Sequence, residues 1–162
     1  MSMTLALPLI SVPEILAGFI YGMTTVNHLE EIEHCYQTGG MIEQEVEAAI
    51  SSFEKGGWNA DVQGALYIAL AILQIPEVLG TCEGMDEDIA AIEEWASVFS
   101  DPSSIAATAA KHIALHRKQF KADLAQTKED IASGFWFHTG EDVADVAMDA
   151  FGPIKPDYSN FY

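Results

Sequence analysis

Apolar residues recur along this chain at intervals of three and four, the spacing of one face of an α-helix. Glycine pairs at 39–40 and 56–57 and the Asp101-Pro102 step divide the pattern into segments. No segment shows the alternation of a half-buried strand. We therefore predict an all-α, single-domain bundle of six or seven helices. The predicted helices span about 12–23, 28–37, 41–55, 59–75, 86–99, 102–132 and 141–151.

The longest uncharged segment in the middle of the chain runs from Val62 to Pro76. A helix that is apolar nearly all round is buried in a protein or in a membrane. These 15 residues would span about 22 Å, which is less than the roughly 30 Å of a bilayer core. Pro76 has no backbone N–H and is expected to end or kink the helix. The segment is predicted to form a buried central helix, about 59–75, and no transmembrane segment is expected.

A second long helical pattern begins after Asp101. Apolar residues from Ile105 to Ile131 keep helical spacing without a glycine or an internal proline. The sequence therefore predicts one long helix, about 102–132, against which the shorter helices pack.

The two ends of the chain differ from its middle. Residues 1–11 are apolar and uncharged, and residues 153–162 combine two prolines with aromatic side chains. We predict an extended N-terminal arm at 1–11, a helical domain at 12–152 and an extended tail at 153–162. The arm is either a targeting remnant or an assembly arm. It is a poor signal peptide, because no basic residue precedes its apolar stretch.

Apolar and aromatic residues at both ends, and at the turn before the last helix, have two possible roles. They can fill the core, or they can anchor an interface, because aromatic side chains dominate interface energetics. The candidate interface residues are Leu5, Leu7, Leu9, Ile10, Trp136, Phe137, Tyr158, Phe161 and Tyr162.

Charge narrows the range of partners. A formal net charge of −18 at pH 7 argues against nucleic acid and against an anionic membrane surface. Five basic residues nevertheless fall between Lys111 and Lys128, where Asp123 is the one acid. This basic segment can neutralise acidic helices of its own chain, or it can contact another subunit.

The two cysteines, Cys35 and Cys82, both lie near predicted helix ends. They are candidates for a disulfide, and two unpaired core cysteines are the alternative. A disulfide would favour the secretory lumen or the extracellular space, and free thiols would favour the cytoplasm.

Metal and catalytic motifs are weak. His112 and His116 have the i, i+4 spacing that can present two imidazoles to one metal, but the glutamate of His-Glu-x-x-His is missing. Glu31-x-x-His34 has the spacing of a di-iron carboxylate motif without the second copy that such a site needs. No nucleophile or nucleotide-binding signature is present. The sequence thus predicts neither an enzyme nor a bound cofactor.

Three functions fit these observations. We expect a non-enzymatic structural or interaction protein, a self-associating subunit of a larger assembly or filament whose partners are copies of itself or another protein. The first alternative is a helical carrier of a small hydrophobic ligand, motivated by the uncharged helix and the aromatic turn. The second is a metalloprotein that uses His112 and His116.

Overall fold

A computed structural model describes residues 10–36, 40–97 and 102–152. These residues form a single all-α domain and contain no strand, which confirms the predicted fold class. The described residues form eight helices. They are α1 (Val12–Thr24), α2 (Leu29–Cys35), α3 (Met41–Lys55), α4 (Trp58–Leu79), α5 (Asp86–Ala96), α6 (Pro102–Leu115), α7 (Arg117–Ser133) and α8 (Trp136–Phe151).

Helix α4 is the central helix, and it is longer than predicted. It follows Gly57, whose φ of 92° suits glycine, and it continues through Pro76 to Leu79. Of the two expectations for Pro76, that it ends the helix is wrong, because Leu79 is fully buried and its packing holds the last turn in place. Helices α3, α5, α6 and α8 all contact α4.

The extra length of α4 removes the argument that it is too short to span a membrane. Its 22 residues rise about 33 Å, so by length and composition it could cross a bilayer. The core helix of a soluble domain passes the same test, and 44% of the most apolar 18-residue window of α4 is buried against the rest of the chain. The packing of α3, α5, α6 and α8 against α4 supports the interpretation of α4 as a core helix, although it is only partly buried.

The predicted long helix is divided into α6 and α7. His116 leaves the helical conformation at φ −116° and ψ 34° and precedes the first residue of α7. Residues 114–119 are all exposed, so no packing holds the chain straight at this point. The break lets α6 pack against α4 and α8, while α7 packs against α3 and α8.

Helices α1 and α8 share the most extensive helix–helix contact. Glycines make it possible: a Cβ added to Gly18 would collide with the carbonyl oxygen of Phe137, and one on Gly140 would collide with that of Ile15. The two backbones therefore lie against each other without intervening side chains. This contact joins the first helix of the domain to the last.

Helices α7 and α8 form a hairpin with only two residues between them. Gly134 takes the left-handed conformation at φ 72°, and Phe135 precedes the first turn of α8. The last helix begins at Trp136, five residues earlier than predicted from about residue 141. The aromatic residues predicted to form a turn therefore lie mostly on a helix.

Candidate functional site

The predicted interface residues separate into two groups. Leu5, Leu7, Leu9, Tyr158, Phe161 and Tyr162 lie outside the described residues. Of the others, Trp136 is buried in the core of its own chain, Ile10 packs against that core, and Phe137 packs against Tyr21 with ring centroids 5.7 Å apart. These three side chains contribute to the fold. The exposed aromatic at this corner is Phe135, which belongs to the predicted aromatic turn but is not among the candidate interface residues.

A partly uncovered seam runs along α4. The seam has the alternating spacing of four and three that characterises coiled-coil contacts. Its members are Asn59, Gln63, Leu66, Leu70, Leu73 and Glu77. Leu70, in the middle, is 43% exposed, while Leu66 and Leu73 are half-buried on either side. Leu70 thus stays exposed although α3, α5, α6 and α8 all pack against α4.

The two ends of the α4 seam carry opposite charges. At its N-terminal end an open depression is lined by Lys55, Asn59 and Gln63 among others. At its C-terminal end a second depression is lined by Leu73, Glu77 and Glu93 among others. The seam is therefore uncharged in the middle, basic at one end and acidic at the other.

The basic segment contacts the same chain near the start of α4. The guanidinium of Arg117 lies 5.0 Å from the ring centroid of Trp58, and Lys128 Nζ lies 3.9 Å from Asp61 Oδ1. Burial raises the pKa of Asp61, and the positive charges of Lys128 and Lys121 partly offset this. At least part of the basic segment therefore neutralises its own chain.

Two pairs of aspartates face each other across the α7–α8 hairpin. The carboxyl of Asp142 is hydrogen-bonded to that of Asp130, and the carboxyl of Asp149 to that of Asp123. A carboxyl–carboxylate hydrogen bond requires one of the two groups to hold a proton. On α7, Gln119 donates to Asp123 at 3.0 Å, and Gln126 donates to Asp130 at 3.4 Å. We therefore place the shared protons on the α8 members, Asp142 and Asp149.

The pKa values of Asp142 and Asp149 follow from this arrangement. Burial raises each to about 8, reinforced by the hydrogen bond to its α7 partner and by neighbouring negative charges. The negative charge of Asp145 raises the pKa of both carboxyls, and that of Glu141 also raises the pKa of Asp142. One buried oxygen of each has no hydrogen-bond donor among the described residues. Because the two α7 aspartates and the two α8 aspartates are each seven residues apart, the pairs repeat every two turns.

A disulfide joins Cys35 at the end of α2 to Cys82 before α5, with Cα atoms 5.5 Å apart. The predicted pairing is thus confirmed. Beside it, His28 Nδ1 lies 3.0 Å from Glu31 and Nε2 lies 2.6 Å from Asp88. Burial alone would lower the pKa of His28, but the hydrogen bonds and charges of the two carboxylates outweigh it and raise the pKa. His28 and the disulfide therefore connect the same two parts of the chain.

Replacing His28 by glutamine is expected to lower the free energy of unfolding by about 1–3 kcal/mol at pH 6, because buried Asp88 loses a charged partner. Since the folded pKa of His28 is raised, its stabilisation is full below about pH 6.5 and is lost as the pH rises through the folded value. The loss of unfolding free energy caused by His28→Gln should therefore be smaller at pH 8.5 than at pH 6. Urea denaturation at both pH values measures it.

His138 supplies a matched control. Its Nδ1 lies 2.9 Å from Glu141 at the same i, i+3 spacing, but its side chain is 67% exposed. His138→Gln is expected to change stability by less than about 0.5 kcal/mol. Equal effects for the two histidines would show that His28 does not form a buried charged contact.

A small apolar cavity lies between α1, α3, α4 and α8. Its volume is about 40 Å³, and its lining includes Leu16, Phe19, Phe53, Ile68 and Ile72. An engineered cavity that binds benzene measures about 150 Å³. This cavity is too small for such a ligand without rearrangement, so it offers little support for a hydrophobic carrier.

The predicted metal ligands lie apart from other ligating groups. His112 is half-buried near the end of α6, and His116 is exposed at the α6–α7 break. Within residues 10–36, 40–97 and 102–152, no three histidines, cysteines or acids are placed to hold a metal ion. The described residues therefore give the metalloprotein hypothesis no structural support.

Comparisons with protein-family models, with curated proteins and with solved structures give no match to this chain. The function must therefore be argued from the surfaces and contacts described above.

Proposed function

We propose that this protein is a non-enzymatic interaction protein that self-associates through the α4 seam. One observation supports the proposal: a central helix with coiled-coil spacing leaves Leu70 exposed between two half-buried leucines. The middle of the seam, from Leu66 to Leu73, is apolar and uncharged on a chain with a net charge of −18, and a second surface that covers it would remove the Leu70 side chain from water.

A second copy is the occupant that best fits the seam. Coiled-coil spacing suits a helical partner. A foreign partner would need an uncharged helix of the same kind, whereas every copy of the protein carries one.

The disulfide indicates where this association takes place. Disulfides persist in oxidising compartments and are rare where thiols are kept reduced. The Cys35–Cys82 bridge therefore favours the secretory lumen or the extracellular space. High net negative charge continues to argue against nucleic acid as a partner there.

Leu70→Glu is expected to convert a concentration-dependent dimer into a monomer, because it places a carboxylate in the centre of an apolar contact. Sedimentation velocity from micromolar to millimolar protein measures the change. Leu70 is already exposed, so the fold should tolerate the substitution with an unchanged circular dichroism spectrum.

Val26→Glu is the matched control, since Val26 is 43% exposed, like Leu70, and lies between α1 and α2, outside α4. It should dimerise like the unmodified chain. An unmodified protein that stays monomeric at millimolar concentration would contradict the proposal, and so would equal effects of the two substitutions.

A further inference from the structure

We propose that the seam pairs antiparallel with the seam of a second copy, around a two-fold axis between Leu66 and Leu70. This inference rests on the proposed self-association and adds its direction and register. It follows from the order of residues along the seam and from the charges at its two ends.

The order of residues along the seam suits an antiparallel arrangement. In an antiparallel pair whose axis passes midway between Leu66 and Leu70, each of these leucines faces the other leucine of the second copy. The same symmetry places Gln63 opposite Leu73, and Asn59 opposite Glu77, in both halves of the contact. The centre is then apolar, and each end pairs an amide with a carboxylate. Such a contact is isologous, the interface type of most homodimers.

The end charges favour the antiparallel arrangement over the parallel one. A parallel pair would place the Glu77 and Glu93 end against the same acidic end of the second copy, and Lys55 against Lys55. In an antiparallel pair, Lys55 of each copy lies near Glu77 of the other, which gives two contacts between opposite charges. Antiparallel helix dipoles are also the favourable arrangement. Because Lys55 and Glu77 are both exposed, these contacts direct the orientation more than they add affinity.

Charge reversal tests the direction. Lys55→Glu and Glu77→Lys are each expected to raise the dimer dissociation constant about tenfold at low salt, since each creates two like-charge contacts. The double variant carrying both substitutions in one chain should restore the original constant, because it re-forms both pairs with reversed sign. The measurement is sedimentation equilibrium at low ionic strength and again at high salt, where the differences should shrink.

Lys118→Glu controls for the change in net charge, because Lys118 is exposed on α7 and belongs neither to the seam nor to the lining of the depressions at its ends. It should weaken the dimer far less than Lys55→Glu. If the protein dimerises but none of the charge variants alters the constant, or the double variant fails to restore it, the antiparallel register is wrong and self-association stands. If the unmodified protein does not dimerise, the proposed function fails as well.

Discussion

Replacing both Cys35 and Cys82 by alanine is expected to lower the free energy of unfolding by about 4 kcal/mol. The bridge joins residues 47 positions apart. In the chain-entropy treatment, closing a loop of that length restricts the unfolded chain by about 4 kcal/mol at 25 °C. Alanine suits the positions, because Cys82 is buried and a serine hydroxyl there would need a hydrogen-bond partner. Urea denaturation of the two proteins measures the difference.

The unmodified protein supplies its own control for this experiment. Adding a reductant should lower its stability to near that of the double alanine variant, which should itself be insensitive to the reductant. A loss below about 1 kcal/mol would show that the unfolded chain is not restricted by the bridge.

The bridge and the His28–Asp88 contact should not contribute independently. Both link the α1–α2 region to the start of α5, at sequence separations of 47 and 60. With the bridge intact the two parts stay close even when the side-chain contact is lost. Without it, His28 and Asp88 must bring them together themselves. Removing both links should therefore cost more than the sum of the single losses, which a double-mutant cycle would reveal.

The periodicity of apolar residues predicted the fold class, because each helix buries one face. The residues on that face are apolar and recur every three or four positions. The same signal did not locate the break at His116. Apolar spacing continues from Ile105 to Ile131, and the break comes from the absence of packing at an exposed stretch, which depends on the positions of other helices. Pro76 is the reverse case, because tertiary packing of Leu79 overrides a local stop signal.

The candidate site was only partly accessible to sequence reasoning. Recognising that α4 was apolar nearly all round predicted burial, but only the packed neighbours show which face stays uncovered. Glycines at 18, 22 and 140 were the available signal for close contact of α1 and α8. The intervals of seven between Asp123 and Asp130, and between Asp142 and Asp149, could have indicated facing acids on a hairpin. Their shared protons depend on burial, which no sequence interval reports.

The free energy of unfolding is expected to fall as the pH rises from about 5 to 9, because of the two aspartate pairs. Folding raises the pKa of Asp142 and Asp149 to about 8, from an ordinary value of 3.8. Between these values the folded chain holds protons that the unfolded chain has lost. The stabilisation is therefore full below about pH 4 and is lost as the pH rises through 8.

The size of this effect is limited by solvent. A shift of one pKa unit corresponds to about 1.4 kcal/mol, but both carboxyls are only partly buried, and screening reduces the contribution. We expect a loss of at least about 2 kcal/mol for the two pairs together across this pH range. Urea denaturation at intervals of one pH unit measures it.

Replacing Asp142 and Asp149 together by asparagine should flatten this dependence. Asparagine has nearly the same shape, donates a hydrogen bond to the facing carboxylate at any pH and removes the like charge. The double variant should therefore be more stable than the unmodified protein above pH 8 and similar to it at pH 5. Glu33→Gln with Glu47→Gln, at exposed positions on α2 and α3, removes the same charge from helices that carry no member of the pairs. If the control variant flattened the pH dependence of the free energy of unfolding equally, that dependence would come from general repulsion within an acidic chain. The protons held between α7 and α8 would then not be its cause.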